Sequence, residues 1–188
     1  MRDYNELIQE LRGFDTPADN DVLTWSGRPT WSAPSGVSDV FTLTKVTSDQ
    51  PFTSTTVSDV TNMAFSVTSG VYYSFRFLVL FQSNTGSRNI SLTLTTPTFT
   101  TFGATVKIPS SGDAINAIYE GYITSSGDEV IPGSSIPATN TSFVATVEGT
   151  ILPSANGTVQ LRAGVTSTAG NPTITVKQGS VGVLTKFA

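Results

Sequence analysis

Cysteine and histidine are both absent from the 188 residues of this sequence. Without cysteine the chain can form no disulfide bond, no thiolate nucleophile and no zinc–thiolate site. Without histidine it lacks the commonest general base and the commonest transition-metal ligand of proteins. We therefore expect a protein that is not an enzyme, with no catalytic residues, no metal site and no cofactor.

Charge is also scarce. Charged residues make up 13% of the chain, and 10 basic against 14 acidic residues leave a net charge of -4. The basic residues are scattered singly, so no basic patch favours nucleic acid or an anionic membrane. No apolar run approaches the roughly 20 residues of a membrane span, and the charged start of the chain lacks the features of a signal peptide. We expect no nucleic-acid or membrane partner, and synthesis in the cytoplasm without export.

Threonine, serine and valine are abundant and alternate with one another, and the chain has 11 phenylalanines. This composition is typical of β-sheets, and the phenylalanines argue against disorder. Turn-forming residues separate the alternating stretches at regular intervals, which indicates an all-β sandwich or barrel. We predict strands near residues 39–46, 52–58, 62–69, 71–82, 89–95, 98–108, 115–124, 141–152, 157–165, 172–178 and 180–187.

One helix is predicted, over residues 3–12. Its apolar residues recur at the spacing of a single helix face. A helix of about ten residues is too short to be stable alone in water. We therefore expect its apolar stripe to dock on its own domain, on another subunit or on a different protein. The residues of this stripe are Tyr4, Leu7, Ile8 and Leu11.

Residues 13–37 form a separate segment, rich in proline, glycine and other turn-forming residues. Both tryptophans of the chain, Trp25 and Trp31, lie there, each at the end of a short extended piece. Because an indole ring has a large apolar area to bury, we expect this segment to pack against another surface. We divide the chain into an N-terminal attachment helix and arm, residues 1–37, and a β-sandwich domain, residues 38–188.

The predicted strand 71–82 is apolar on one face throughout, and its opposite face changes from polar to apolar midway. An antiparallel strand with one wet face should stay polar along that face. We expect one side to be covered by its own core and the other by the arm or another subunit. With so few charges to protect them, exposed sheet edges also favour burial in an oligomer. The residues assigned to this subunit-packing strand are Tyr73, Phe75, Phe77, Leu78 and Leu80.

Carboxylates offer the remaining route to chemistry. Glu120 and Glu148 each precede a glycine in a predicted strand, and two carboxylates at a defined separation can hydrolyse a glycosidic bond. Solvent-facing glutamates are the simpler interpretation, which we prefer. Asp113, Asp128 and Glu129 lie in predicted turns, but no loop repeats oxygen ligands at the spacing of a calcium site.

Several motifs resemble those of known phage proteins. Residues 21–34, DVLTWSGRPTWSAP, look like a module of phage fibre proteins that precedes a distal domain. Later stretches resemble a β-domain of phage virion and fibre proteins, and the pattern is similar to jelly-roll heads of the tumour-necrosis-factor and complement-globular-head type. The resemblance covers most of residues 20–188 and implies a homotrimer, usually formed through an aromatic inner sheet. These stretches are YYSFRF (72–77), VEGTI (147–151), NGTVQLR (156–162) and KQGSVGVL (177–184).

The expected fold is therefore all-β, an antiparallel jelly-roll sandwich with a short N-terminal helix and an extended arm. The expected function is that of a non-enzymatic structural protein on the surface of a bacteriophage particle. It would be a capsid decoration protein or short head fibre, acting as a homotrimer. Residues 1–37 would bind the major capsid protein or another virion protein, through the helix stripe and the anchors Trp25 and Trp31. Two alternatives stay open: a tail-fibre tip that recognises a host surface glycan or protein, and a carboxylate-dependent glycosidase.

Overall fold

In the computed structural model, backbone and side chains are described for residues 41–111, 117–133 and 135–187, and the backbone alone for residues 22–25 and 29–32. Every regular element in these ranges is a β-strand, and every strand pairing is antiparallel. The strands are β1 (Val22–Trp25), β2 (Pro29–Ser32), β3 (Phe41–Lys45), β4 (Gln50–Phe52), β5 (Ser58–Val67), β6 (Tyr73–Ser83), β7 (Ile90–Thr95), β8 (Phe99–Pro109), β9 (Ile118–Ile123), β10 (Glu129–Val130), β11 (Phe143–Pro153), β12 (Gly157–Val165), β13 (Ile174–Val176) and β14 (Val181–Lys186).

The predicted helix over residues 3–12 lies outside the described residues. Within the described ranges, no helix is long and apolar enough to span a membrane. The chain divides into two compact units, Met1–Ser38 and Asp39–Ala188. In the first unit, β1 and β2 form an antiparallel hairpin whose register places Leu23 opposite Trp31. The two extended pieces of the arm are therefore paired with each other.

The second unit consists of two antiparallel sheets. In the larger one, called sheet I, six strands follow the order β3-β14-β6-β11-β8-β9. The short strands β13 and β4 also belong to sheet I, because β13 pairs with both β6 and β4. In the smaller one, called sheet II, the order is β10-β7-β12-β5. Each strand of the sandwich is thus hydrogen-bonded within one of two layers.

The strand order of the second unit is that of a jelly roll. When β3, β5, β6, β7, β10, β11, β12 and β14 are counted as strands 1 to 8, sheet I contains the order 1-8-3-6 and sheet II the order 2-7-4-5. Apart from strands 4 and 5, successive strands alternate between the two sheets, as in a double Greek key. The hairpin β8–β9 is inserted between strands 4 and 5 and extends sheet I beyond β11. The expectation of an all-β jelly-roll sandwich is confirmed.

The core lies between the two sheets and is built from alternate residues of each strand. In β6 the odd-numbered residues from Tyr73 to Phe81 are buried, and the even-numbered ones point to the other side. Phe77 stacks on Phe65 of sheet II with ring centroids 5.1 Å apart. A Cβ on Gly182 would lie 2.8 Å from the Phe77 ring. A side chain at residue 182 would displace the Phe77 ring from this position. Burial of one phenylalanine stabilises a fold by roughly 1.5–3 kcal/mol, so the glycine is needed for that contribution.

A short segment, residues 53–57, packs against β12 of sheet II, where a Cβ on Gly164 would lie 3.1 Å from the Val57 side chain and 3.2 Å from the Ser54 carbonyl oxygen; we call it the strap. The Val165 N–H donates a hydrogen bond of 3.0 Å to the Ser54 carbonyl oxygen. The Arg162 guanidinium donates one of 2.7 Å to the Val57 carbonyl oxygen. The strap is therefore held against β12 by hydrogen bonds at two points.

Two strand predictions differ from the structure in this region. The strand predicted over 52–58 is wrong for residues 53–57, because β4 ends at Phe52 and β5 begins at Ser58. The serines and threonines there have the composition of a strand, but carbonyl oxygens of the segment accept bonds across β12. The two-residue strand β10, Glu129–Val130, has no predicted counterpart, since a strand this short shows no alternation.

Candidate functional site: the outer face of sheet I

The side of sheet I that points away from sheet II, called the outer face, carries the candidate binding surface. Residues paired across adjacent strands point to the same side of a sheet, so the strand register defines rows of neighbouring side chains. Two rows cross the outer face from β3 at one edge to β9 at the other. The first row is Lys45, Val181, Leu78, Thr146, Lys107 and Glu120, and the second is Leu43, Val183, Arg76, Glu148, Thr105 and Tyr122.

Large apolar side chains are exposed on both edge strands of this face, β3 and β9. At the β3 edge, Phe41 is 66% exposed and Leu43 is 74% exposed. At the β9 edge, Ile118 is 63% exposed and Tyr122 is 68% exposed. Clustered apolar side chains of this size at a protein surface mark sites of interaction rather than ordinary solvent-facing positions. The two edges of sheet I are therefore candidate contact surfaces.

A small charge cluster occupies the middle of the outer face. The Glu148 carboxylate lies 3.6 Å from the Arg76 Nε and 4.0 Å from the Lys107 Nζ. All three side chains are about half exposed, and ion pairs of this kind contribute only about 0–1 kcal/mol to stability. The cluster places two cations around one carboxylate, so the centre of the face is polar while its edges are apolar.

A shallow depression of about 550 Å³ lies beside this cluster. It is open to solvent, and Glu148 is the one carboxylate among its lining residues. No group of three or more histidine, cysteine, aspartate or glutamate residues that could hold a metal ion occurs in the described part of the chain. The polar side chains that line the depression are Ser74, Arg76, Glu148, Thr150 and Thr185.

The predicted subunit-packing strand divides between two locations. Tyr73, Phe75 and Phe77 point inward and are buried in the core of their own chain. Leu78 and Leu80 point to the outer face, where they are partly buried among neighbouring strands. The second apolar stripe of this strand is thus found on the surface that carries the exposed edges.

The predicted attachment residues cannot be placed on this face. Tyr4, Leu7, Ile8 and Leu11 lie outside the described residues. Trp25 and Trp31 belong to β1 and β2, of which the backbone alone is described. Their roles as docking stripe and anchors stay predictions.

The exposed edge residues were missed at the sequence level. The stretches from Phe41 to Lys45 and from Ile118 to Ile123 alternate as ordinary strands do. Alternation shows which residues share a face, but it does not show which face is covered or which strand is at an edge. The register of six strands is needed to bring these residues to the same surface.

Glu120 and Glu148, the glycosidase candidates, lie on the outer face with β8 between their strands. At roughly 4.8 Å per strand, their strands are about 10 Å apart. The depression beside Glu148 does not include Glu120 among its lining residues. The two carboxylates therefore stand on a broad sheet surface, and the depression is lined by Glu148 without Glu120.

The Asp128 carboxylate, a calcium-ligand candidate, is engaged within its own turn. It accepts hydrogen bonds from the Thr124 N–H at 3.0 Å, the Thr124 hydroxyl at 3.0 Å and the Ser125 N–H at 2.8 Å. These bonds lower the pKa of Asp128 below its ordinary value of 3.8, and the bond from the Thr124 N–H has the largest effect. Of the other two candidates, Glu129 is exposed on β10, and Asp113 lies outside the described residues.

Comparison with known proteins gives weak similarities. No protein-family model and no curated protein matches the sequence. Among solved structures, infectious bursal disease virus, Gt strain, is 9% identical over 91% of this chain and 42% of the matched chain, with a TM-score of 0.23. The VP2 subviral particle of the same virus is 9% identical over 88% and 44%, with a TM-score of 0.21. The present chain thus spans less than half the length of these chains. TM-scores this low do not establish a shared fold or function.

Proposed function

We propose that this protein is a structural component of a bacteriophage particle, a capsid decoration protein or short head fibre that acts as a homotrimer without enzymatic activity. The observation that supports the proposal is the outer face of sheet I. Both of its edge strands expose large apolar side chains, and a lone sandwich leaves them in water. Burial of apolar area contributes a free energy of roughly 25 cal/mol per Å², which favours a partner surface at these edges.

The jelly-roll strand order supports the same proposal. The motifs between residues 72 and 184 resemble jelly-roll heads that usually trimerise through an aromatic inner sheet. In this protein the aromatic residues of β6 fill the core. The trimer contact is therefore assigned to the outer face, which carries Leu78 and Leu80 as well as the exposed edge residues Leu43 and Tyr122.

Attachment to the particle is assigned to residues 1–37. The apolar stripe of the predicted helix and the two tryptophans supply area that a capsid protein can bury. A protein that binds the assembled shell and not its free subunits shifts the equilibrium toward the shell by mass action. The proposed role is therefore mechanical: the trimer stabilises or decorates a surface that other proteins build.

The oligomeric part of the proposal is tested by light scattering of the purified full chain. The expected mass is three times the 19.8 kDa of one chain. Leu43→Asp places a charge in the exposed apolar edge and should lower the mass, whereas Glu129→Lys, a charge change on sheet II, should leave it unchanged. A wild-type mass near that of one chain at micromolar concentration would contradict the trimer.

The location is tested on particles of the phage that encodes the protein. Particles made without it should bind the added wild-type trimer in a saturable manner, visible as extra density in electron microscopy. Leu7→Asp combined with Leu11→Asp should abolish binding and keep the trimer mass. Saturable adhesion to host cells without binding to particles would instead favour the receptor-binding tip.

A further inference from the structure

The two edge strands of sheet I carry complementary chemistry. On the outer face, β3 presents Leu43 and the cation Lys45, and β9 presents Tyr122 and the anion Glu120. In the described part of the chain neither Lys45 nor Glu120 takes part in an ion pair, whereas Arg76, Lys107 and Glu148 do. Each edge therefore offers an apolar contact beside a charge that forms no ion pair in the described part of the chain, and the two charges are of opposite sign.

The spacing of these residues is matched as well. Lys45 and Glu120 are the two ends of one row across the sheet, and Leu43 and Tyr122 are the two ends of the next. Counting through the antiparallel pairings of sheet I, β9 runs in the opposite direction to β3. A β9 strand placed antiparallel beside β3 can therefore set Glu120 opposite Lys45 and Tyr122 opposite Leu43 at the same time.

We propose that each copy of the chain contacts the next through these two edges, with β9 of one copy beside β3 of the neighbouring copy. Glu120 then pairs with Lys45 of the second copy, and Tyr122 packs on its Leu43. This inference rests on the proposed homotrimer and names the contact that builds it. Because the two surfaces differ, the contact is heterologous, and such contacts close into a ring when the rotation between copies allows it.

A second copy of this chain fits these edges better than a two-fold contact between like edges. In any register, a β3–β3 contact would place two Lys45 cations in one interface without Glu120, and a β9–β9 contact would place two Glu120 anions there without Lys45, whereas a β9–β3 contact supplies one of each. Unpaired backbone groups of an edge strand also favour pairing with another strand. The same chain supplies both members of each complementary pair, so no other partner is needed.

Charge reversal with rescue tests the ion pair in the full chain. Lys45→Glu or Glu120→Lys alone should raise the concentration at which the trimer dissociates by roughly tenfold or more, because like charges then face each other. The double variant, Lys45→Glu with Glu120→Lys, should restore a concentration close to that of the wild type. Glu129→Lys, on sheet II, is the matched control and should have no effect.

Rescue in the double variant is the decisive readout. Two single variants that weaken the trimer without rescue in combination would overturn the proposed pairing. A trimer unaffected by either charge reversal would also overturn the proposed pairing of Lys45 with Glu120, but it would leave the proposed homotrimer in place. A wild-type chain that is monomeric at all concentrations would instead overturn the proposed function itself.

Cysteine cross-linking tests the geometry in a chain that has no cysteine of its own. Leu43 and Tyr122 lie at opposite edges of a six-strand path, roughly 24 Å apart at about 4.8 Å per strand. A disulfide needs Cα atoms within about 7 Å, so a bond between these positions cannot form within one copy. Mixing Leu43→Cys chains with Tyr122→Cys chains should give a covalent dimer on oxidation.

The doubly substituted chain, Leu43→Cys with Tyr122→Cys, should form a covalent trimer that migrates as one band without reductant. A ladder that continues beyond three copies would show that the contact exists but does not close at three, and would overturn the ring. A double variant that stays uncross-linked while its scattering mass is that of a trimer would overturn the edge contact. Leu43→Cys with Thr158→Cys, on the exposed part of sheet II, is the negative control.

Discussion

Two aspartates show how single residues hold the loops of the sandwich. The Asp49 carboxylate, in the turn between β3 and β4, accepts hydrogen bonds from the Lys177 ammonium and from the Gln178 N–H, the latter at 2.8 Å. The Asp128 carboxylate accepts hydrogen bonds within the turn between β9 and β10. In a chain with few charges, these two carboxylates are among the groups that decide how stability depends on pH.

The pKa of Asp49 lies below its ordinary value of 3.8, first because of the hydrogen bond from the Lys177 side chain and then because of that from the Gln178 N–H. A carboxyl group with a lowered pKa stabilises the folded state above its unfolded pKa and loses that contribution as the pH falls through its folded pKa. We expect the urea midpoint to be flat between pH 5 and 8, since histidine is absent, and to decrease below about pH 4.

The variant Asp49→Asn should have a lower midpoint at pH 7 and a smaller decrease on acidification, because its amide cannot titrate. Glu129→Gln, at an exposed residue of β10, serves as the control and should follow the wild type at every pH. An Asp49→Asn curve parallel to that of the wild type would show that Asp49 does not contribute to the acid sensitivity.

At the scale of single strands, the sequence predicted β6 well. Its buried face was evident because Phe75, Phe77 and the other odd-numbered residues leave no polar position on that side, which one-sided burial requires. The opposite face changes from polar to apolar at Leu78 and Leu80, and this change was also evident from the sequence. Alternation could not predict the strap, because residues 53–57 have strand-like composition and their position depends on hydrogen bonds to β12, more than a hundred residues away in sequence.

The strap depends on one arginine of β12. The Arg162 guanidinium donates to the Val57 carbonyl oxygen at 2.7 Å, and its Nε lies 3.0 Å from the Asp59 carboxylate. That Nε has no hydrogen-bond partner, so the contact with Asp59 is an ion pair and not a directed hydrogen bond. We expect Arg162→Met to lower the free energy of unfolding by about 1.5–3 kcal/mol, since a charged hydrogen bond is lost.

Hydrogen exchange can assign this loss to the strap. In Arg162→Met the Val165 amide, which donates to the Ser54 carbonyl oxygen of the strap, should exchange faster, while the amides of β6 keep their protection. Asp59→Asn removes the exposed ion pair alone and should change the free energy of unfolding by less than about 1 kcal/mol. An equal exchange rate of the Val165 amide in wild type and Arg162→Met would contradict the anchoring role.

For the whole molecule, the layer arrangement and the strand order have different origins in the sequence. Regular alternation from residue 41 onward was enough to predict two antiparallel layers. The order 1-8-3-6 and 2-7-4-5 follows from pairings between distant strands, which no local pattern specifies; the jelly roll was predicted from the resemblance of motifs such as YYSFRF. The apolar edges at β3 and β9 became visible only when the register placed Leu43 and Tyr122 in one row.

A closed assembly should make thermal stability depend on protein concentration. Because the folded chains associate and the unfolded chains do not, the Tm of the wild type should rise with concentration. Lys45→Glu, which weakens the proposed contact, should show a smaller dependence. Calorimetry over a hundredfold range of concentration measures both, and a Tm of the wild type that is independent of concentration would argue against a reversible oligomer.

The position of β14 has a consequence for how the molecule is made. This strand lies between β3 and β6 in sheet I, and β12 lies between β7 and β5 in sheet II. During translation, both layers therefore lack an internal strand until strands from the last third of the chain leave the ribosome. Long-range pairing of this kind makes folding slow, so earlier strands must wait with open edges.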